Sequence, residues 1–246
     1  MELLLWRWSI GVQCASLAMI AVFFGLLSRS TRRVELGSWV LAWVLDLAAL
    51  GASLFYWYMR PEGSLFRLNA GCYMVAKTAF VLLVIDGAWK LRRHGKSLPG
   101  RPLVGLALAV YGMVAAFVPS IDVLGLVQNL VMGPLFAIGG LFVFRKPLEN
   151  GLAWLGAALL IRAVLSLVEG AIFGFVLAGS AAQFPALFGV AQSFLSAHSF
   201  IDTASEWLLA LGCVLAFSDR VQRDLLQYNQ DLLEAQEAES WWTATP

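Results

Sequence analysis

HSFIDTASEWLLALGCVLAFSDRVQRDLLQYNQDLLEAQ, residues 198–236, is the stretch that decides the fold. Residues 198–217 form an apolar run of the ~20 residues that a hydrocarbon core about 30 Å thick requires of a spanning helix. From Ser218 onward polar residues dominate, yet Val221, Leu225, Tyr228, Leu232 and Ala235 recur at spacings of 4, 3, 4 and 3, and Ser218, Val214 and Leu211 carry the same phase back into the apolar run. That is a heptad seam. Asp219, Arg220, Arg223, Asp224, Gln227, Gln230, Asp231, Glu234 and Glu237 occupy its outer positions, as on a solvated coiled coil. Because this face is net acidic, anionic lipid repels it. The pattern therefore predicts a last membrane helix continuing as a coiled-coil stalk in a parallel homodimer, with about three heptads, too few to drive dimerisation alone.

Working toward the N-terminus, similar runs lie at roughly 9–28, 35–58, 70–90, 103–121, 123–144 and 152–178. The chain has 246 residues, 60% hydrophobic and 13% charged, where soluble domains carry about 25% charge. The fold class is thus an all-α integral membrane bundle of about seven transmembrane helices, with the lipid bilayer as its surroundings. Turn signals separate the runs: Arg60-Pro61-Glu62-Gly63, Pro99-Gly100-Arg101-Pro102, Pro119-Ser120-Ile121-Asp122, Lys146-Pro147 through Asn150-Gly151, and Gly179-Ser180. The stretch 181–197, apolar but interrupted at Pro185, reads as an interfacial or re-entrant segment. Glu2 and Arg7 make a poor basic leader, so the first run is expected to be a retained span.

Lys and Arg orient the bundle. Arg29, Arg32 and Arg33, then Lys90, Arg92, Arg93, Lys96 and Arg101, then Arg145 and Lys146, then Arg220 and Arg223 fall on one side; Arg7, Arg60 and Arg67 fall on the other. The positive-inside rule places the N-terminus outside and the C-terminus in the cytoplasm. Trp6, Trp8, the run Phe55-Tyr56-Trp57-Tyr58, Trp89 and Trp154 sit where aromatic rings prefer the headgroup level.

An ionisable side chain at membrane depth needs a partner, a wet cavity or a function. Asp46, Lys77, Asp86, Arg162, Glu169, Asp202 and Glu206 all lie inside the predicted spans. Arg162, Ser166 and Glu169 share one face of the sixth helix, at i, i+4 and i+7; His198, Asp202 and Glu206 share one face of the seventh, at i, i+4 and i+8. Lys77, Glu169, His198, Asp202 and Glu206 fall in the outer half, Asp46 and Arg162 near the middle, and Asp86 toward the cytoplasm. Two readings stand. Lys77, Glu169, His198, Asp202, Glu206 and Arg162 form a ligand pocket open to the outside. Alternatively, Lys77 neutralises Glu169 or Glu206 and Arg162 neutralises Asp46 or Asp202, with no ligand involved.

Other chemistries fit poorly. His198 and Glu206 are about 12 Å apart along a helix axis and cannot share a metal ion, so at most one adjacent pair could, helped by another helix; no metal is expected. The last span has no lysine for retinal, and His94 and His198 lie on opposite sides for haem, so no cofactor is expected. Ser196 and Ser199 point away from His198 on a helix, which disfavours a hydrolase. Cys14, Cys72 and Cys213 are too scattered for a ligand set and read as buried free thiols. The basic clusters are short, and nucleic acid is not an expected partner.

The run Ser218-Asp219-Arg220 through Asp231-Leu232-Leu233-Glu234-Ala235-Gln236 resembles the signalling helix that joins multi-span sensors to GGDEF diguanylate cyclase domains in bacteria. The terminal Thr243-Ala244-Thr245-Pro246 is similar to the start of the linker preceding the Asp-Pro-Leu-Thr entry to such cyclases. The resemblance implies a sensor domain over 1–217, a signalling helix over 218–240, a tail or linker over 241–246, a bacterial inner membrane location and an unknown small ligand. No GGDEF active-site sequence or kinase phospho-acceptor context occurs, so the chain itself is expected not to be an enzyme. A transporter or channel is the alternative, for which Gly133-Pro134 and Gly139-Gly140 would give a broken or flexible fifth helix.

Overall fold

The computed structural model of the chain describes residues 2–93, 95–144, 150–179 and 185–244. His94, Arg145, Lys146, Pro147, residues 180–184, Thr245 and Pro246 lie outside the described residues, as do the side chains of Trp6, Arg7, Arg101, Ser196 and Thr243. The described residues form seven helices joined by short turns: α1 (Glu2–Thr31), α2 (Val34–Met59), α3 (Gly63–Arg92), α4 (Arg101–Ala115), α5 (Ile121–Phe144), α6 (Asn150–Leu177) and α7 (Pro185–Ala244). Six of these, all but α4, are long and apolar enough to cross a membrane. Large side chains such as Met19, Val22, Leu26, Leu130, Ile138 and Leu141 face outward, and a surface so apolar implies contact with lipid.

The fourth predicted span is shorter than its hydropathy. α4 has 15 residues, about 22 Å of helix, because the apolar run continues through Phe117 and Val118 after the helix has ended. Val118 precedes Pro119, which disfavours helical backbone, and Ser120 then opens α5, its hydroxyl accepting the Val123 N–H at 3.4 Å. α4 nevertheless runs antiparallel along α3. The loop before it is tied down where the Leu98 N–H donates to Asp86 (2.9 Å). Its far end reaches Arg67, whose guanidinium lies 5.6 Å from the Phe117 ring.

Two further expectations are corrected. α5 is one uninterrupted helix despite Pro134; Gly139 and Gly140 serve close packing, since added Cβ atoms there would come within 2.8 Å of Ile85 and 2.7 Å of Leu160. From Pro185 onward the segment expected to be interfacial or re-entrant is simply the beginning of α7. Proline is tolerated in a first turn, whose N–H groups have no partner within the helix.

Neighbouring helices form a closed ring in the order α1, α2, α3, α5, α6, α7 and back to α1, with α3 touching α7 across the middle and α4 outside against α3. Lipid supplies no hydrophobic drive between helices, so close packing and interhelical hydrogen bonds hold such a ring. Glycine permits close approach: a Cβ on Gly212 of α7 would sit 2.8 Å from the Leu155 Cα of α6. At the end where α7 leaves the bundle, Phe24, Trp39, Trp43 and Phe80 interlock, with centroids 5.2 Å apart for Trp43–Phe80 and 5.9 Å for Phe24–Trp39. The Trp39 indole N–H donates to the Val84 carbonyl at 3.1 Å.

α7 has 60 residues, about 90 Å of helix. Val221 still packs against the bundle core, but Leu225, Leu226, Tyr228, Leu232, Leu233 and Ala235 are exposed. The residues of the predicted seam from Leu225 onward thus lie exposed along a single helix.

Candidate functional site

The helical spacing that groups Arg162, Ser166 and Glu169 on α6 and His198, Asp202 and Glu206 on α7 turns both faces inward: all are buried except His198, which is partly exposed. Lys77 arrives from α3 and Asp46 from α2. The ammonium of Lys77 lies 2.5 Å from Asp46 Oδ1 and 3.6 Å from Glu206 Oε1. The Arg162 guanidinium lies 2.5 Å from Asp202 Oδ1 and 3.4 Å from Glu169 Oε1. His198 bridges the last two acids, with Nδ1 3.4 Å from Glu169 and Nε2 3.4 Å from Asp202.

Four helices thus converge on one network, with two of the expected pairings exchanged. Lys77 does meet Glu206 and Arg162 does meet Asp202, but the tightest partner of Lys77 is Asp46, and Glu169 pairs with Arg162. α2 is adjacent to α3 in the ring and not to α6, so Asp46 meets the lysine. Sequence reasoning also missed Gln13 of α1, whose amide donates to Glu206 at 3.3 Å, and Gln128 of α5, which accepts the Tyr73 hydroxyl at 2.8 Å. Each is a neutral polar residue inside an apolar run, a signal available in the sequence.

Above the network is a cavity of about 450 Å³, within the 300–1,000 Å³ usual for small-molecule pockets. It is built from the C-terminal half of α2 (Tyr56, Trp57), the start of α3 (Phe66, Asn69, Tyr73, Lys77), the start of α5 (Asp122, Gln128, Asn129), Glu169 and Phe173 of α6, and His198, Ser199 and Asp202 of α7. Every one of these segments lies at the end of the bundle opposite the one where α7 departs. Glu206 and Arg162 stand beneath, around a void of about 10 Å³ also lined by Lys77, Gln128 and Ser166, room for one water. Glu206 Oε2, Ser166 Oγ and Asp46 Oδ2 are buried and have no hydrogen-bond partner among the described residues.

Ligand atoms of Glu169, His198 and Asp202 lie within 4.8 Å of one another, the spacing of a metal site. Arg162 already occupies the electrostatic position a dication would take, 2.5 Å from Asp202, and its fixed positive charge makes the set a poor metal cage. Ser199 donates to Ser9 of α1 at 2.6 Å, while the imidazole of its neighbour His198 faces the two acids. The three cysteines are free, Cys213 buried as expected and Cys72 exposed.

A second buried network lies at the opposite end. Lys90 is 3.1 Å from Asp86 and donates to Ser38 at 2.6 Å, and Ser38 donates to Asp86 at 2.8 Å. Lys90, counted above among the charges that orient the bundle, is buried inside it. The base of the α7 extension is tied down nearby: Arg33 meets Asp224 at 2.8 Å, and Asp219 accepts both the Gly151 N–H (3.2 Å) and Arg223 (2.5 Å). No family profile, curated protein or solved structure matches the chain.

Proposed function

We propose that the chain is a membrane sensory input module. The observation that carries this reading is the span of one helix: α7 contributes His198 and Asp202 to the cavity wall, and runs unbroken past the far end of the bundle. A ligand entering the cavity alters the contact between α6 and α7, and the rigid helix passes a rotation or shift to whatever follows it. The apolar stripe from Leu225 to Ala235 pairs with the same stripe of a second copy, giving a parallel dimer whose two stalks change register together. Residues 1–217 are then the sensor and 218–240 the signalling helix.

Basic residues concentrated at the α7-exit end favour that end as cytoplasmic, and a short α4 that crosses with local thinning of the bilayer gives seven crossings and an external N-terminus. The likeness of the stalk to signalling helices favours a diguanylate-cyclase-type output in a bacterial inner membrane. To test this, the chain is fused through its stalk to such an output, and one, two, three or seven residues are inserted between Gln227 and Tyr228, beyond the contacts of Asp219 and Asp224. Output that varies with heptad phase and recovers at seven is expected; output indifferent to phase refutes the reading.

A transporter reading has the intramembrane charges in its favour. Below them, however, Phe80, Met132, Phe136 and Leu209 close the floor. Flux through proteoliposomes that is lost on Glu206→Gln would favour transport over sensing.

A further inference from the structure

We infer that the cavity binds a small organic cation, an ammonium group carried on an apolar or aromatic body. The inference rests on the reading of this cavity as the input site and supplies its ligand class. Charge comes first. Four carboxylates, Asp46, Glu169, Asp202 and Glu206, share two permanent cations, Lys77 and Arg162. His198, between Glu169 and Asp202, adds a third basic group to the network. The charged groups that line the cavity itself are the acids Asp122, Glu169 and Asp202 against the bases Lys77 and His198, so its wall holds one acid more than it holds bases.

Position decides which acids a ligand meets. Lys77 also lines the cavity, but its ammonium is paired with Asp46 and Glu206. Arg162 does not line the cavity, whereas Glu169 and Asp202 do, on either side of the His198 ring. An ammonium entering from above meets these two carboxylates with the guanidinium behind them. It takes the position between them that the imidazole now occupies.

The remaining wall suits the rest of such a ligand. Tyr56, Trp57, Phe66, Tyr73 and Phe173 present aromatic rings, and ring faces attract cations by ~0.5–2 kcal/mol each, more when water is excluded. An anionic ligand would meet Asp122, Glu169 and Asp202 in the wall, and a purely apolar one would offer them no counter-charge.

The test uses the full chain in nanodiscs of zwitterionic lipid, with phenethylammonium as probe and neutral 2-phenylethanol and anionic phenylacetate as its isosteric controls, binding being followed by intrinsic tryptophan fluorescence. Saturable binding of the ammonium alone is expected, weakened at least tenfold by Glu169→Gln. Because Glu169 also contacts Arg162, Phe173→Leu and Asp122→Asn provide variants outside the ion-pair network, each expected to weaken binding at least threefold. Equal binding of the alcohol or the carboxylate, absence of ammonium binding in a folded sample, or displacement of the probe by equimolar Zn²⁺ overturns the inference. Failure here with stalk output still following heptad phase removes the ligand class and leaves the sensor; ammonium binding with phase-indifferent output removes the sensor and leaves the site.

Discussion

Replacing Lys77 with methionine tests the charge network most directly, because the side chain is nearly isosteric and only the ammonium is lost. Asp46 is fully buried, its Oδ1 lies 2.5 Å from the ammonium, and its Oδ2 has no hydrogen-bond partner among the described residues. Glu206, 3.6 Å from the same nitrogen, keeps the Gln13 amide as its one hydrogen-bond donor among the described residues. Lys77→Met thus strands one carboxylate outright and weakens the support of another. Breaking a buried pair from one side costs about 3–5 kcal/mol. In a chain of this size each kcal/mol moves the unfolding midpoint by roughly 2–4 °C, so the apparent midpoint should fall by about 6–20 °C. The assay is tryptophan fluorescence on heating in detergent at a fixed scan rate, which is needed because irreversible unfolding makes the midpoint rate-dependent. Asp46→Asn alone should cost less, since Lys77 retains Glu206. The double variant Lys77→Met with Asp46→Asn should be more stable than Lys77→Met alone, as the stranded charge is gone. Additivity of the two single effects to within about 0.5 kcal/mol, the behaviour of independent sites, would refute the pairing.

Gly212→Ala should separate α6 from α7 and cost about 1–3 kcal/mol by overpacking, while Gly105→Ala, with open space around its Cβ, should leave the melting midpoint unchanged. Asp219→Ala removes the acceptor of the Gly151 N–H, so hydrogen exchange should quicken over the first turn of α6. Arg33→Ala breaks only a half-exposed pair, worth under about 1 kcal/mol, and should leave both exchange and melting as they are. In intact cells an impermeant maleimide should label Glu62→Cys and spare Lys96→Cys until the membrane is opened; the reverse pattern would invert the proposed orientation.

The long spans were legible because lipid imposes a length of about 20 apolar residues that hydropathy reads directly. α4 was not, because hydropathy registers Phe117 and Val118 as membrane residues without registering that Pro119 has already turned the backbone. The inward faces of α6 and α7 were legible from spacing alone, since Arg162, Ser166 and Glu169, like His198, Asp202 and Glu206, share a face wherever the helix stands. Which acid meets which base was not, because Lys77 reaches Asp46 only through the order of helices around the ring. Local pattern carries no record of that order. Gln13 lay unread for a different reason: a single amide in a 30-residue helix carries no charge to draw notice, and its value lies in the Glu206 oxygen opposite.

The contacts of Asp219 and Asp224 near the base of the extension act mechanically as a fulcrum. From His198 to Asp224 the helix runs about 39 Å, and from Asp224 to Ala244 about 30 Å. A sideways displacement of 1 Å at the cavity, turned about that point, would therefore reach Ala244 reversed in direction and reduced to about 0.8 Å, whereas a rotation about the helix axis is undiminished at any distance along it.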